Sequence, residues 1–157
     1  MKPLTIDFLY LDLKTCERCM ATDDTLQEAL AELAAVLSTL GYSVQVNKVN
    51  ITTPELAEQY RFLSSPTIRV NGLDILGNIT ENDCCCCGDI CGDDVECRTF
   101  VYDGVTYEQP PKAMVLDGIL RAIYGLIPAN NDPYELPDNL KRFFAGRGRK
   151  IKLHMDR

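Results

Sequence analysis

Cys16 and Cys19 stand two residues apart, where an apolar run gives way to an amphipathic one. A pair at that spacing closes a small disulfide ring or grips one soft metal ion, and spacing alone does not choose between them. The other six of the eight cysteines are Cys84, Cys85, Cys86, Cys87, Cys91 and Cys97. Four adjacent side chains cannot all point one way from an extended chain, and neighbouring thiolates repel unless a cation lies between them. Such a set suits soft ions: zinc, copper(I), iron–sulfur clusters and, by the same softness, arsenite or mercury. The gaps from Cys87 to Cys91 and from Cys91 to Cys97 do not match a zinc ribbon, so zinc is one candidate among several. Vicinal cysteines also oxidise readily, which makes a partly disulfide-linked loop the plain alternative.

The elements that must position these sulfurs follow from periodicity. Leu4, Ile6, Phe8, Leu9, Leu11 and Leu13 read as a strand apolar on both faces, which suits burial from both sides. After the pair, Leu26, Ala29, Leu30, Leu33, Leu37 and Leu40 fall at helical spacing and Gly41 is the stop. The helix start is ambiguous, because Thr22, Asp23, Asp24 and Thr25 are all capping residues and Thr25 with Glu28 has capping-box spacing. A start at Thr22 or later leaves Cys16 in a loop, beyond the reach of the helix amides that favour a thiolate. Tyr42 to Ile51 alternates as a second strand, parallel to the first by the right-handed crossover rule. Thr53 and Pro54 open a short helix over 55–63, Thr67 to Val70 is a strand, and Asn71-Gly72 turns the chain into 73–76. From Asn78 to Cys97 no periodicity survives, which predicts an inserted loop. Two short strands follow at 98–102 and 105–107 around Asp103-Gly104, and Pro110-Pro111 opens a helix ending near Gly125. Residues 127–137 read as extended, and Asp138 caps a short helix carrying Leu140, Phe143 and Phe144.

A strand ending in Cys-x-x-Cys, a helix, a second strand, a short helix and then Ser65-Pro66-Thr67 leading a strand resembles the thioredoxin-like superfamily. The stretches SSPTIRVNG, CRTFVYDG and PPKAM with the cysteine cluster more closely resemble an uncharacterised bacterial and archaeal thioredoxin-like family. The resemblance spans about residues 4 to 125 and implies an α/β, three-layer thioredoxin-like fold with a central mixed sheet. On that reading residues 1–126 form the domain, 78–97 the Cys-rich insert and 127–157 a C-terminal basic extension. It also implies a cis bond before Pro66, with that loop facing Cys16 and Cys19 at an accessible edge and Ser65 and Thr67 beside the substrate. Cys16 would be the more exposed attacking thiolate and Cys19 the resolving thiol. The pair lacks the preceding tryptophan and the internal Gly-Pro of true thioredoxins.

Composition narrows the classes. A chain of 157 residues, 46% hydrophobic and 25% charged, fits one folded domain. A net charge of −7 argues against general nucleic-acid binding. No apolar run approaches the roughly 20 residues of a membrane span, and the first strand begins by Leu4 without a signal-peptide pattern, so a cytoplasmic protein with reduced thiols is expected. Residues 141–157 carry seven Lys or Arg against one Asp, a basic segment that could dock on its own domain or, through Phe143-Phe144, form a homodimer. The first functional expectation is a thiol–disulfide oxidoreductase serving a partner protein or small thiol. The alternative is a soft-metal or metalloid protein that uses Cys84, Cys85, Cys86, Cys87, Cys91 and Cys97, and the third is a non-catalytic interaction module. Cys97, which abuts a strand, is the candidate to reach Cys16 or Cys19.

Overall fold

The computed structural model describes residues 1–13, 16–83 and 95–155, with 147–155 as backbone only. Strand β1 (Lys2–Tyr10) lies inside a four-stranded mixed sheet of order β2-β1-β3-β4. It pairs in parallel with β2 (Tyr42–Asn50) from Lys2 opposite Tyr42 to Tyr10 opposite Asn50. On its other side it runs antiparallel to β3 (Thr67–Val70), with Ile6 opposite Val70, and β4 (Leu73–Asp74) closes the edge. The right-handed crossover between β1 and β2 is α1 (Glu17–Thr39).

Side-chain alternation along β1 divides the core in two. Leu4, Ile6 and Phe8 pack with Leu26, Ala29, Leu33 and Leu37 of α1 and with Met114, Val115 and Ile119 of α3 (Lys112–Ile123). Leu9 and Leu11, of the other parity, pack with Ala57 of α2 (Pro54–Gln59), with Phe62, and with Leu140 and Phe143 of α4 (Asp138–Met155). Helices therefore cover both sides of the sheet, and the chain is a mixed α/β protein.

Three sequence expectations change. First, α1 begins at Glu17 with Cys16 as its N-cap, and the Thr25/Glu28 capping box is not used. Thr22 and Thr25 instead donate to the carbonyls of Arg18 and Ala21 inside the helix, at 2.6 and 2.9 Å. This back-bonding lets capping residues sit mid-helix when tertiary packing holds the turn before them. Second, the insert is not loop throughout. β5 (Thr80–Asp83) pairs antiparallel with β6 (Glu96–Tyr102), which pairs with β7 (Val105–Tyr107) in a separate three-stranded sheet. The pairing is long-range in character and leaves no trace in local periodicity. Third, the C-terminal extension packs on its own domain, with one helix running from Asp138 to Met155 where a short one was expected. Phe143 is fully buried in the same chain, which removes it from the homodimer surface that Phe143-Phe144 suggested. Tyr134 donates to the Phe62 carbonyl at 2.7 Å, fixing the segment that leads into α4.

Asn139, in the first turn of α4, accepts from Glu96 N–H at 2.6 Å and donates to Glu96 O at 2.8 Å and to Glu81 Oε2 at 3.2 Å. Ser64 Oγ also donates to Glu81 Oε2, at 2.7 Å. Burial is the main cause that lifts the Glu81 carboxyl above the usual range, with Glu96 adding to it, while the bonds from Ser64 and Asn139 pull the other way.

Two measurements check this packing. A Cβ at Gly118 of α3 would lie 2.8 Å from both Cβ and the backbone oxygen of Ile75. Helix propensity alone favours Gly118→Ala by about 1 kcal/mol. The overlap with backbone reverses the sign, and urea denaturation should show a net loss of about 1–3 kcal/mol. For Glu81, the folded state holds the carboxyl proton more tightly than the unfolded state, whose reference value is 4.5, so stability falls as pH rises through the window above that value. Glu81→Gln keeps an oxygen for Ser64 and Asn139 but cannot ionise. Its Tm profile from weakly acidic to neutral pH should lack the downward slope that the wild-type chain shows.

Candidate thiol site

β1 ends at Tyr10, and the chain turns through Leu11 before α1 starts, so the cysteine pair sits where strand end and helix start meet. Cys16 is the N-cap, at φ −85 and ψ 104, and its side chain makes no capping hydrogen bond. One helical turn on, Cys19 lies on the inward face of α1 with Thr22 and Leu26. Facing them is the loop of Ser64, Ser65 and Pro66 at the start of β3, with a cis peptide between Ser65 and Pro66.

Cys16 and Cys19 are both thiols, not disulfide-bonded to each other or to anything else. The Cys19 sulfur lies 3.3 Å from Ser65 Oγ. That hydroxyl oxygen also accepts the Leu11 N–H at 3.1 Å. The Cys19 thiol is nonetheless pushed well above the ordinary cysteine value, chiefly by its hydrogen bond to Cys16, then by burial and by the proximity of Cys16. Ser65 and the Asp12 amide oppose this. Cys19 therefore keeps its proton and presents it to Cys16.

The expected accessible edge is absent. Cys16 and Cys19 are each 0% exposed, so the assignment of Cys16 as the exposed member of the pair is corrected. Both belong to one apolar cluster with Leu9, Leu11, Val95, Cys97, Leu140 and Phe143. A neutral thiol behaves as a small hydrophobe and is accommodated there without loss. The groove of about 500 Å³ between α1 and the β2 edge is lined by Leu30, Ala34, Leu37 and Val44 and lies away from the thiols.

The residues singled out from sequence fall as follows. Ser65 and Thr67 are buried, and their hydroxyls are turned inward, Ser65 to Cys19 and Thr67 to the Ser64 carbonyl at 2.6 Å. Cys97 is fully buried in the same cluster as the pair and is disulfide-bonded. Cys84, Cys85, Cys86, Cys87 and Cys91 lie outside the described residues, as does Lys14 beside the pair. Among the described residues no three His, Cys, Asp or Glu side chains are gathered in a way that would hold a metal ion. Arg18, one of the charges next to the pair, is engaged by Glu108 at 3.0 Å and by Asn82.

Sequence reasoning passed over Arg98. It is 0% exposed, its N–H donates to Ser65 O at 2.9 Å, and its guanidinium bonds Thr67 Oγ1 at 3.0 Å and Asp74 at 2.9 Å. Its position one residue after Cys97, inside CRTF, was the available signal. Leu140 and Phe143 read as apolar positions, but nothing local marked them as members of the cluster that holds the thiols.

In comparisons with known proteins, the family model described as a domain of unknown function (DUF2703) matches residues 4–119. An uncharacterized protein of Archaeoglobus fulgidus is 38% identical over 106 residues, which span 64% of this chain and 73% of that relative. No solved structure matches the chain. The cysteine pair, the Ser65-Pro66-Thr67 loop and the strand that carries Cys97 all fall inside the matched span, and the chain belongs to the DUF2703 family.

Proposed function

We propose that the protein exchanges disulfides through Cys16 and Cys19, on a thioredoxin-like arrangement, with a partner protein or small thiol as the other reactant. The observation that carries this reading is the sulfur-to-hydroxyl contact of Cys19 with Ser65, 3.3 Å, beside a thiol proton shared toward Cys16. Two thiols that contact each other one helical turn apart can close into a disulfide with little backbone movement. Cys19 holding its proton leaves Cys16 as the sulfur that attacks, and its place at the head of α1 puts the amides of the first turn within reach of the developing charge. The order β2-β1-β3-β4, with α1 after β1 and Ser65-Pro66 leading β3, supports the thioredoxin-like reading.

Burial sets a condition. No external disulfide reaches a sulfur that is 0% exposed, so exchange with another molecule proceeds only while the apolar cluster that holds the pair opens locally. The alternative soft-ion reading rests on Cys84, Cys85, Cys86, Cys87 and Cys91, outside the described residues, and no observation favours it.

Equilibration of the native chain in glutathione buffers of graded potential, followed by acid quench, alkylation and peptide mass mapping, tests the proposal. Cys16 and Cys19 should pass together and reversibly from alkylated thiols to a linked pair. Phe143→Leu should speed that oxidation severalfold, because a smaller side chain loosens the cluster that holds the pair, and Cys16→Ser should abolish it. A pair that remains dithiol throughout the glutathione range, or a Cys16→Ser chain that still exchanges, would falsify the reading and leave a non-catalytic module.

A further inference from the structure

Glu81 lies on β5 and is not a member of the apolar cluster that holds Cys16 and Cys19, yet the groups it fastens all adjoin that cluster. One of its carboxylate oxygens, Oε2, accepts from Ser64 Oγ at 2.7 Å and from Asn139 Nδ2 at 3.2 Å. Ser64 precedes Ser65, whose hydroxyl contacts the Cys19 sulfur at 3.3 Å. Asn139 precedes Leu140 and stands one helical turn before Phe143, both fully buried members of the cluster. Asn139 also holds the Glu96 backbone, accepting from its N–H at 2.6 Å and donating to its carbonyl at 2.8 Å. The residues on either side of Glu96 are Val95 and Cys97, again of the cluster. Through Oε2 and Asn139, one carboxyl joins the loop at the thiols, the first turn of α4 and the start of β6.

We infer that Glu81 is a positioning residue for the thiol pair, a latch that stays fastened while its carboxyl is protonated and releases more often once it is ionised, so that pH regulates exchange at Cys16 and Cys19. The inference rests on the reading of Cys16 and Cys19 as an exchange pair and names what governs access to them. Its direction follows from solvation. A charge half-buried among these groups lacks the water it gains when the segments part, so ionisation favours an opening that wets Glu81. Burial lifts the carboxyl above its reference value of 4.5 and Glu96 adds to this, against the bonds from Ser64 and Asn139 and the attraction of Arg98. The open state therefore holds the proton less tightly than the closed one, and opening becomes easier as pH rises through the window above 4.5. The other charges nearby are already engaged. Arg98, opposite Glu81 in the β5–β6 register, is paired with Asp74 at 2.9 Å. On α4 the charges that flank Asn139 in sequence, Asp138 and Lys141, are exposed and pair with each other at 3.6 Å. Arg18 of α1 is taken by Glu108 at 3.0 Å, by Asn82 and by the Asp83 carbonyl.

Oxidation of Cys16 and Cys19 in the native full chain by a small disulfide, dipyridyl disulfide, tests the latch when followed by acid quench and peptide mass mapping over a series of pH values. Wild type and Glu81→Gln are compared at each pH, because the intrinsic ionisation of the thiols cancels in the ratio of their rates. The two chains should react alike at weakly acidic pH, and wild type should become severalfold faster at slightly alkaline pH. A merely structural role would change the rate by one factor at every pH. A ratio that stays constant with pH while the pair still closes into a Cys16–Cys19 disulfide overturns the latch and leaves the exchange reading standing. Separate pyridyl adducts on the two cysteines, with no Cys16–Cys19 link at any pH, overturn the exchange reading and the regulation with it. If circular dichroism shows that Glu81→Gln does not fold, Asn139→Ala takes its place. That change frees α4 from both Glu81 and Glu96, so the pair should react severalfold faster than in wild type at weakly acidic pH, where the intact latch is closed; a rate equal to wild type there overturns the proposal.

Discussion

Ser65 ties three distant parts of the chain into one place. Its hydroxyl accepts the Leu11 amide where β1 ends and contacts the Cys19 sulfur on α1, while its carbonyl accepts the Arg98 amide from β6. Each bond is ordinary, worth about 1 kcal/mol net. Together they decide geometry, because one residue cannot satisfy all three unless strand end, helix start and the second sheet meet at fixed spacing. The cysteine pair, the loop at Pro66 and the strand of Cys97 are consequences of that meeting.

The same meeting makes the site both oily and charged, on opposite sides of one strand. Cys97 of β6 and Val95 just before the strand belong to a cluster with Phe62, Leu140 and Phe143. Away from it, Arg98 is entirely buried against Asp74 and Thr67. A buried cation is tolerated only with a partner anion and hydrogen bonds, and Asp74, Thr67 and the Gly77 carbonyl take the two terminal nitrogens while Nε is left without a partner among the described residues. On the thiol side the hydrogen bond to Cys16 and burial outweigh Ser65 and the Asp12 amide, so Cys19 is held in its protonated form.

Much of the order of elements was legible from local pattern. Thr53 caps α2 through its hydroxyl, accepting the Leu56 amide at 3.2 Å, as the Thr-Pro signature implies. Asn71-Gly72 and Asp103-Gly104 all have positive φ, as tight hairpin turns require. Thr67 to Val70 is the strand its β-branched residues suggested. The start of α1 was not legible. Thr22 and Thr25 have the composition of a cap, yet bonds to preceding carbonyls serve them equally well inside a helix. Which use wins depends on whether the turn before them is held by packing, as it is by the buried Cys19.

The amino-acid sequence by itself determined the alternation that places Leu4, Ile6 and Phe8 on one face of β1 and Leu9 on the other, the turns, and the two-residue interval between Cys16 and Cys19. These depend on neighbours in the chain, and the period of a strand or helix acts over a few residues. Only the tertiary structure decided that the pair is covered, that β5 joins β6, and that Cys97 shares a cluster with residues some eighty positions earlier. Burial and strand pairing are set by which distant surfaces meet, and nothing in the residues around Cys16 encodes that Leu140 and Phe143 join its cluster.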